Sequence, residues 1–392
     1  MSSLSYLSVA EHALFQSTNG YANEIANLIF QPDDYIEESR PFSALNLKVW
    51  GDENFSRKGK FTFRGFKQSV KVCKQRLEIY GHSLKSANED FKQAKKSCKK
   101  DYFYSFPLNN ITFKKFLDEV KYILNNTIEP PENYHTNFRD SLIEDDLYFY
   151  GQSISSNLYS IFSLLKETDI VEYDLTEIIQ GGWISKDLPQ KQIFFEKIII
   201  LTEGKTDVEF ISSSLKLLYP HLFPYYHFIN FDEYKVESNA SALVKLVVSF
   251  AAANIKHPII VLFDNDTTGI MEMKALLSKK IPQNFKILKL PDLKFAKRYP
   301  TFGPTGIKKM NVNGLACGIE MYLGEDVLKR DNKFVPVQWK GFNDKEKKYQ
   351  GELSDKATIQ NNFREKLKSK TQTNYAEMDI LLTEIFNAFR IK

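Results

Sequence analysis

The stretch Lys197-Ile198-Ile199-Ile200-Leu201-Thr202-Glu203-Gly204-Lys205-Thr206-Asp207 limits this chain to few folds. Ile198 to Leu201 is short, β-branched and unalternated, as a parallel strand covered on both faces requires. Glu203 follows at the carboxyl end of that strand, the edge at which open α/β sheets build their sites. Gly204 permits a tight turn, and Thr206 or Asp207 caps the helix that follows. The pattern then recurs. Pro258-Ile259-Ile260-Val261-Leu262-Phe263 is a second unalternated run, and it delivers Asp264-Asn265-Asp266-Thr267-Thr268-Gly269. In extended chain, residues two apart point the same way, so Asp264 and Asp266 aim at one place. A further acid, Glu320, stands in Ala316-Cys317-Gly318-Ile319-Glu320-Met321. Carboxylates gathered at neighbouring strand ends repel one another unless a cation neutralises them. All-oxygen ligation suits Mg2+ or Mn2+ rather than zinc.

The rest of this half alternates strand and helix, which implies a mainly parallel sheet with covered faces. Expected helices cover 207–218, 240–253 and 269–279, with further strands at 226–231 and 285–290. Two amphipathic helices, about 357–368 and 375–389, close the chain. Upstream of Gly181-Gly182-Trp183 the pattern reads as mostly helical. Phe66, Val70, Cys73, Leu77 and Tyr80 recur at helical intervals until Gly81, and Leu84, Ala87 and Phe91 continue on a second helix. Further helices are expected at 113–124 and 141–168, with a short one near 171–179. Leu7 to Phe15 suits either a strand or a helix. Phe30-Gln31-Pro32-Asp33-Asp34-Tyr35 reads as a turn whose acids are solvated, and the acidic run Glu144-Asp145-Asp146 as a helix start. The organisation expected is therefore α + α/β: a helical domain over 1–190, then a Rossmann-like domain over 191–392.

Here the residues carry a resemblance. Glu203-Gly204-x-Thr206-Asp207 followed by Asp264-x-Asp266-x-x-Gly269 resembles a Toprim domain, the metal-binding module of topoisomerases, primases and several nucleases. Ile319-Glu320-x-Tyr322-Leu323 is similar to the third acidic motif of Toprim nucleases of the overcoming-lysogenization-defect type. Tyr299-Pro300-Thr301-x-Gly303-Pro304-x-Gly306 and Val312-Asn313-Gly314 resemble the HEPN/Toprim-associated family. The resemblance implies a nuclease cleaving DNA or RNA phosphodiesters with Mg2+ or Mn2+, in bacterial defence against phage or plasmids. In that scheme Glu203, Asp264 and Asp266 are the firmest ligands, and Asp207 and Glu320 complete a second ion or act through water. Lys356, placed like the lysine that such nucleases carry after the last strand, stabilises developing phosphorane charge. Lys205 is a candidate phosphate contact. Arg76-x5-His82 fits the loose arginine–histidine spacing of HEPN ribonucleases, although Gly81 breaks the helix just before His82.

Composition narrows the alternatives. Residues 57–100 carry 14 Lys or Arg against 3 Asp or Glu, so Lys67, Lys71 and Lys74 are candidate nucleic-acid contacts. Three scattered cysteines match no zinc spacing and no disulfide framework, which favours a reducing compartment. No apolar run is long enough for a membrane helix, and the first residues do not read as a signal peptide, so the cytoplasm is expected. A G-x-x-x-x-G-K-[ST] nucleotide loop is absent from the sequence. Any ATPase belongs to a partner, and a partner ATPase or sensor protein, or self-association, is left open. Two other readings remain: a nucleic-acid-binding regulatory subunit whose acids hold a structural ion, and a ribonuclease centred on Arg76 and His82.

Overall fold

Two apolar runs set the C-terminal half. The strand β6 (Ile198–Thr202) has a half-buried Ile199 and otherwise buried side chains, and β8 (Ile259–Phe263) is buried throughout. They lie side by side and parallel, with Thr202 opposite Leu262. The computed structural model describes residues 3–45, 58–101, 106–126, 128, 137–229, 237–369 and 374–390. Arg57 and Asn230–Phe231, the end of an expected strand, lie outside them, as do the side chains of Lys99 and Lys100. The chain divides into two compact units: Met1–Phe195 with Phe389–Lys392, and Glu196–Ala388.

The first unit is built on a five-stranded antiparallel sheet. Its strands are β1 (Leu4–Val9), β2 (His12–Thr18), β3 (Tyr35–Pro41), β4 (Lys60–Ser69) and β5 (Ile170–Asp174), in the order β2-β1-β5-β4-β3. Its longer helices are α1 (Asn23–Ile29), α2 (Val70–Glu78), α3 (Leu84–Asp101), α4 (Phe113–Asn125), α5 (Phe138–Glu144) and α6 (Ile154–Phe162). The helical spacing that begins at Phe66 runs across an element boundary: Phe66 still belongs to β4, and α2 starts only after Ser69, whose hydroxyl accepts the Val72 N–H. The expected helix at 171–179 begins as a strand, with Val171 and Tyr173 buried by two-residue alternation. The expected helix at 141–168 is two helices. Asp146 and Leu147, both at positive φ, part α5 from α6.

The second unit carries a wholly parallel sheet in the order β10-β8-β6-β7, where β7 is Tyr226–Phe228 and β10 is Phe285–Lys289. Helices α7 (Lys205–Leu218), α8 (Ala240–Ala252) and α9 (Thr267–Leu277) connect its strands. From β6 the chain steps to one side to form β7, then returns to form β8 on the other. The reversal puts a topological switch point between β6 and β8, where the loops leave in opposite directions and open a crevice. The short strand β9 (Asn265–Asp266) continues from β8 and pairs with β13 (Ala316–Cys317). A second sheet, in the order β12-β11-β16-β17, contains β11 (Tyr299–Gly303), β12 (Gly306–Met310), β16 (Val337–Asn343) and β17 (Lys348–Leu353). The small hairpin β14 (Lys329–Arg330) and β15 (Lys333–Phe334) lies between them in sequence. Helices α10 (Lys356–Lys368) and α11 (Ala376–Phe386) follow.

Gly65 fixes the tightest contact in the N-terminal sheet. A Cβ there would lie 2.1 Å from the Tyr173 carbonyl oxygen of β5 and 3.2 Å from the Phe63 ring. Gly65→Ala is therefore predicted to destabilise the protein by about 2–3 kcal/mol through overpacking against backbone. A thermal melt followed by circular dichroism checks this, and an unchanged melting temperature would refute it.

Candidate metal centre

Glu203 follows β6 at the switch point, and its Oε1 accepts the Asp264 N–H at 2.8 Å. The bond ties the ends of the two neighbouring strands together. Gly269, in the first turn of α9, makes room for it: a Cβ there would stand 2.8 Å from Glu203 Oε1 and 2.6 Å from the Asp264 carbonyl oxygen. The pairing of β9 with β13 then brings the Glu320 segment alongside. Glu320 is only 4% exposed. A Cβ on Gly318 would sit 3.0 Å from Glu320 Oε2 and 3.5 Å from Asp264 Oδ2, so the two carboxylates converge over the space this glycine leaves.

The remaining acids of the two motifs carry helix-end duties. Asp207, in the first turn of α7, accepts the Gly204 N–H at 2.9 Å. Asp266 caps α9, its Oδ1 accepting the Gly269 N–H at 2.7 Å and its Oδ2 accepting from Gln350 Nε2 at 2.7 Å. Lys356 opens α10, and its Nζ stands 3.7 Å from Glu320 Oε2. One turn later, Gln360 Nε2 donates to Glu320 Oε1 at 2.8 Å. Gln350 and Gln360 were silent in the sequence. Only the second sheet and α10 bring them to the acids.

The electrostatics follow from burial and like charge. Burial, then Asp207, Glu203, Asp266 and Glu320, drive the Asp264 carboxyl well above the usual carboxylate range. Glu203 is pushed up to about 8 by burial, against the pull of the Asp264 N–H and with help from Asp266 and Asp207. Asp207 is pushed up to about 7 by burial and by Glu320. Lys356 is raised: burial works against its charge, and Glu320 and Asp264 outweigh it.

Among the described residues no three His, Cys, Asp or Glu side chains are grouped tightly enough to enclose an ion as they stand. The acids are instead held by amide donors, helix caps and Lys356. The donor set nonetheless fits an oxygen-preferring divalent cation. Glu203, Asp264 and Asp266 supply carboxylates on one crevice, Asp207 and Glu320 flank them, and the charged forms lack the compensation that a cation gives.

The other residues singled out by the sequence lie elsewhere. Lys205 is exposed on the first turn of α7. Lys67 faces Glu38 at 3.5 Å and Glu172 at 3.8 Å, Lys71 faces Glu167 at 3.5 Å, and Lys74 stands 5.5 Å from the centre of the Tyr159 ring. The positive run of the sequence is thus interleaved in space with carboxylates from other elements. Arg76 is 1% exposed, pairs with Asp34 and donates to the Ile29 carbonyl oxygen at 2.8 Å. Asp34 is buried rather than solvated, because it also accepts the Gln31 N–H at 2.7 Å and Gln68 Nε2 at 2.8 Å. The His82 imidazole is lowered by burial, against the pull of Asp90.

These features define the class: an α + α/β protein of two units with an acid-lined crevice at the carboxyl edge of a parallel sheet. The family model described as HEPN/Toprim N-terminal domain 1 matches residues 1–196, half of the chain, and the chain belongs to that family. Neither a curated protein nor a solved structure matches it.

Two predictions follow from the charges. Carboxyls titrate near ~4 in an unfolded chain, whereas Glu203 and Asp207 are raised to about 8 and about 7 in the folded one. The folded state therefore keeps protons that the unfolded state has released, and stability falls as pH rises from about 4 to 8. In EDTA the melting temperature should drop across this window, Asp264→Asn should flatten the drop, and Mg2+ or Mn2+ should offset it. Identical profiles for the wild type and the variant would contradict this origin. Separately, Arg76→Ala strands a buried Asp34 and should cost about 3–5 kcal/mol of stability. A variant that melts like the wild type but loses a nuclease activity would instead favour chemistry at Arg76.

Proposed function

We propose that the C-terminal unit is a Toprim-type nuclease of the kind that hydrolyses nucleic-acid phosphodiesters with Mg2+ or Mn2+. The observation that carries this reading is the meeting of Asp264 and Glu320 over Gly318, with Glu203 bonded to the Asp264 N–H, at the switch point of a parallel sheet. Five acids held together against their own repulsion are poor structure unless a cation completes them. Membership of the HEPN/Toprim N-terminal family supports a nuclease-related role in defence.

Glu203, Asp264 and Asp266 would hold the cation, with Asp207 and Glu320 completing the set. A cation held there would supply stabilisation of charge on the attacking and leaving oxygens of the phosphodiester. The chain's own contribution is orientation. Gly204 and Gly269 N–H groups fix Asp207 and Asp266, and Gln350 and Gln360 fix the remaining oxygens of Asp266 and Glu320. Lys356 keeps a positive charge beside Glu320, where it would face a phosphoryl group in the crevice. DNA or RNA is the substrate class, and Lys205 at the mouth of the first motif is a candidate phosphate contact. The ribonuclease reading gains nothing from Arg76, whose guanidinium is built into the Asp34 network. Among the described residues no helix is long and apolar enough to cross a membrane.

The test is cleavage of single- and double-stranded DNA and RNA by the full chain in Mg2+, Mn2+ and EDTA. Asp264→Asn should reduce metal-dependent cleavage to background while the fold persists. Lys356→Met should cost about 10²–10³-fold in rate, as for loss of one charge-stabilising donor. Cleavage that survives EDTA, or full activity in Asp264→Asn, would overturn the assignment.

A further inference from the structure

The second sheet is bonded directly to the acid-lined crevice, and one of its faces, buried at Val337 and Leu353, carries exposed aromatic rings at its hairpin end that have no part in the chemistry proposed there. Gln350 of β17 donates to Asp266, Thr267 Oγ1 donates to the Tyr349 carbonyl oxygen at 2.7 Å, and the Thr268 N–H donates to Gln350 Oε1 at 3.0 Å. Tyr349 is thus anchored beside the start of α9. Its ring lies 5.1 Å from that of Phe342 on β16 and 5.8 Å from that of Trp339, centroid to centroid. Tyr349 and Phe342 are nevertheless 54% and 48% exposed.

Register puts these rings on one face. Tyr349 is two residues from Gly351, which pairs with Trp339, so Tyr349 and Trp339 share a side. An irregularity between Trp339 and Gly341 shifts the register by one and brings Phe342 opposite Tyr349 on that same side. Across β11, Gly303 lies under Trp339: a Cβ there would stand 3.4 Å from Trp339 Cδ1. Lys308 of β12 pairs with Thr301, which pairs with Val337, and so belongs to the same face. The strand β12 is exposed along its whole length. From Leu293 to Ile319 the sequence has five Lys or Arg and no Asp or Glu. Among the described residues no carboxylate pairs with Lys308, whereas Lys67 and Lys71 face acids brought by other elements.

Half-open aromatic rings beside a polar crevice are costly to leave in water unless something flat and apolar covers them. Lys308, on β12 at the opposite edge of the sheet, calls for an anion. One ligand class supplies both: a polynucleotide strand with unpaired bases, whose π faces stack on aromatic side chains while its phosphates follow the cations. Duplex bases are already stacked on one another and leave the rings nothing to cover.

We propose that this face binds single-stranded nucleic acid, with bases stacked on Tyr349 and Phe342 and a phosphate at Lys308, and leads the strand to the acid-lined crevice. The inference rests on the nuclease reading of that crevice. It is tested with the full chain in EDTA, where binding is read without cleavage. The probe is a fluorescein-labelled mixed-sequence oligonucleotide, as DNA and as RNA, single-stranded and annealed, followed by fluorescence anisotropy. Tyr349→Leu and Phe342→Leu should each weaken single-strand binding about tenfold, and Tyr349→Trp should preserve it. Lys308→Gln should lower the slope of log affinity against log salt by about 0.7. Duplex affinity should be lower and indifferent to the rings. Leucine variants that melt like the wild type and bind the single strand equally well would overturn the proposal. So would a wild type that prefers duplex or binds no single strand. Failure of either idea is separable: ring-dependent binding in a protein whose Asp264→Asn variant still cleaves refutes the nuclease site alone. Ring-independent binding in a protein that needs Asp264 to cleave refutes this face alone.

Discussion

Repulsion between carboxylates is the constraint to which the C-terminal unit is fitted. Asp264 is raised well above the usual range, and Glu203 and Asp207 with it, because burial strips water from them and then because acids from separate segments share one crevice. What holds them is the backbone: the Asp264, Gly204 and Gly269 N–H groups take one oxygen each from Glu203, Asp207 and Asp266. Each amide bond reduces the penalty of a buried charge. Lys356 and Gln360 do the same work for Glu320 from the side.

The two glycines of the crevice serve the same end. Gly269 admits Glu203 to the first turn of α9, and Gly318 leaves the space over which Asp264 and Glu320 meet. Neither position has the positive φ that would demand glycine for backbone reasons. Their requirement is steric and is set by carboxylate oxygens. A side chain at either place would press on a charged group rather than on a packed core.

Much of the parallel sheet was legible in the sequence, because strands covered on both faces leave unalternated runs such as Ile198–Leu201 and Ile259–Phe263. Glu203 and Asp264 stood out for the same reason, since each stands at the end of such a run. Their closeness was not local information. It depends on β6 and β8 being neighbours, and on β9 pairing with β13, contacts between segments far apart in the chain. The N-terminal sheet was harder to read. Phe63 and Phe66 are both buried but on opposite faces of β4, so the strand shows no clean alternation, and Ser69 joins it to α2 without a break. Arg76 drew notice through its spacing to His82, and its partner, Asp34, lies in what read as a solvated turn.

Lys356 and Gln360 are one helical turn apart on α10, and both grip Glu320. A helix turns by about 100° per residue. Adding or removing a single residue between Leu353, where β17 ends, and Lys356 would swing both groups off the carboxylate together. The hairpin tip between β16 and β17 bears no such obligation, since lengthening it leaves the strand register intact. Tolerance of insertions in this unit is therefore uneven, and evolutionary length variation belongs at the tip while the junction before α10 stays fixed in span.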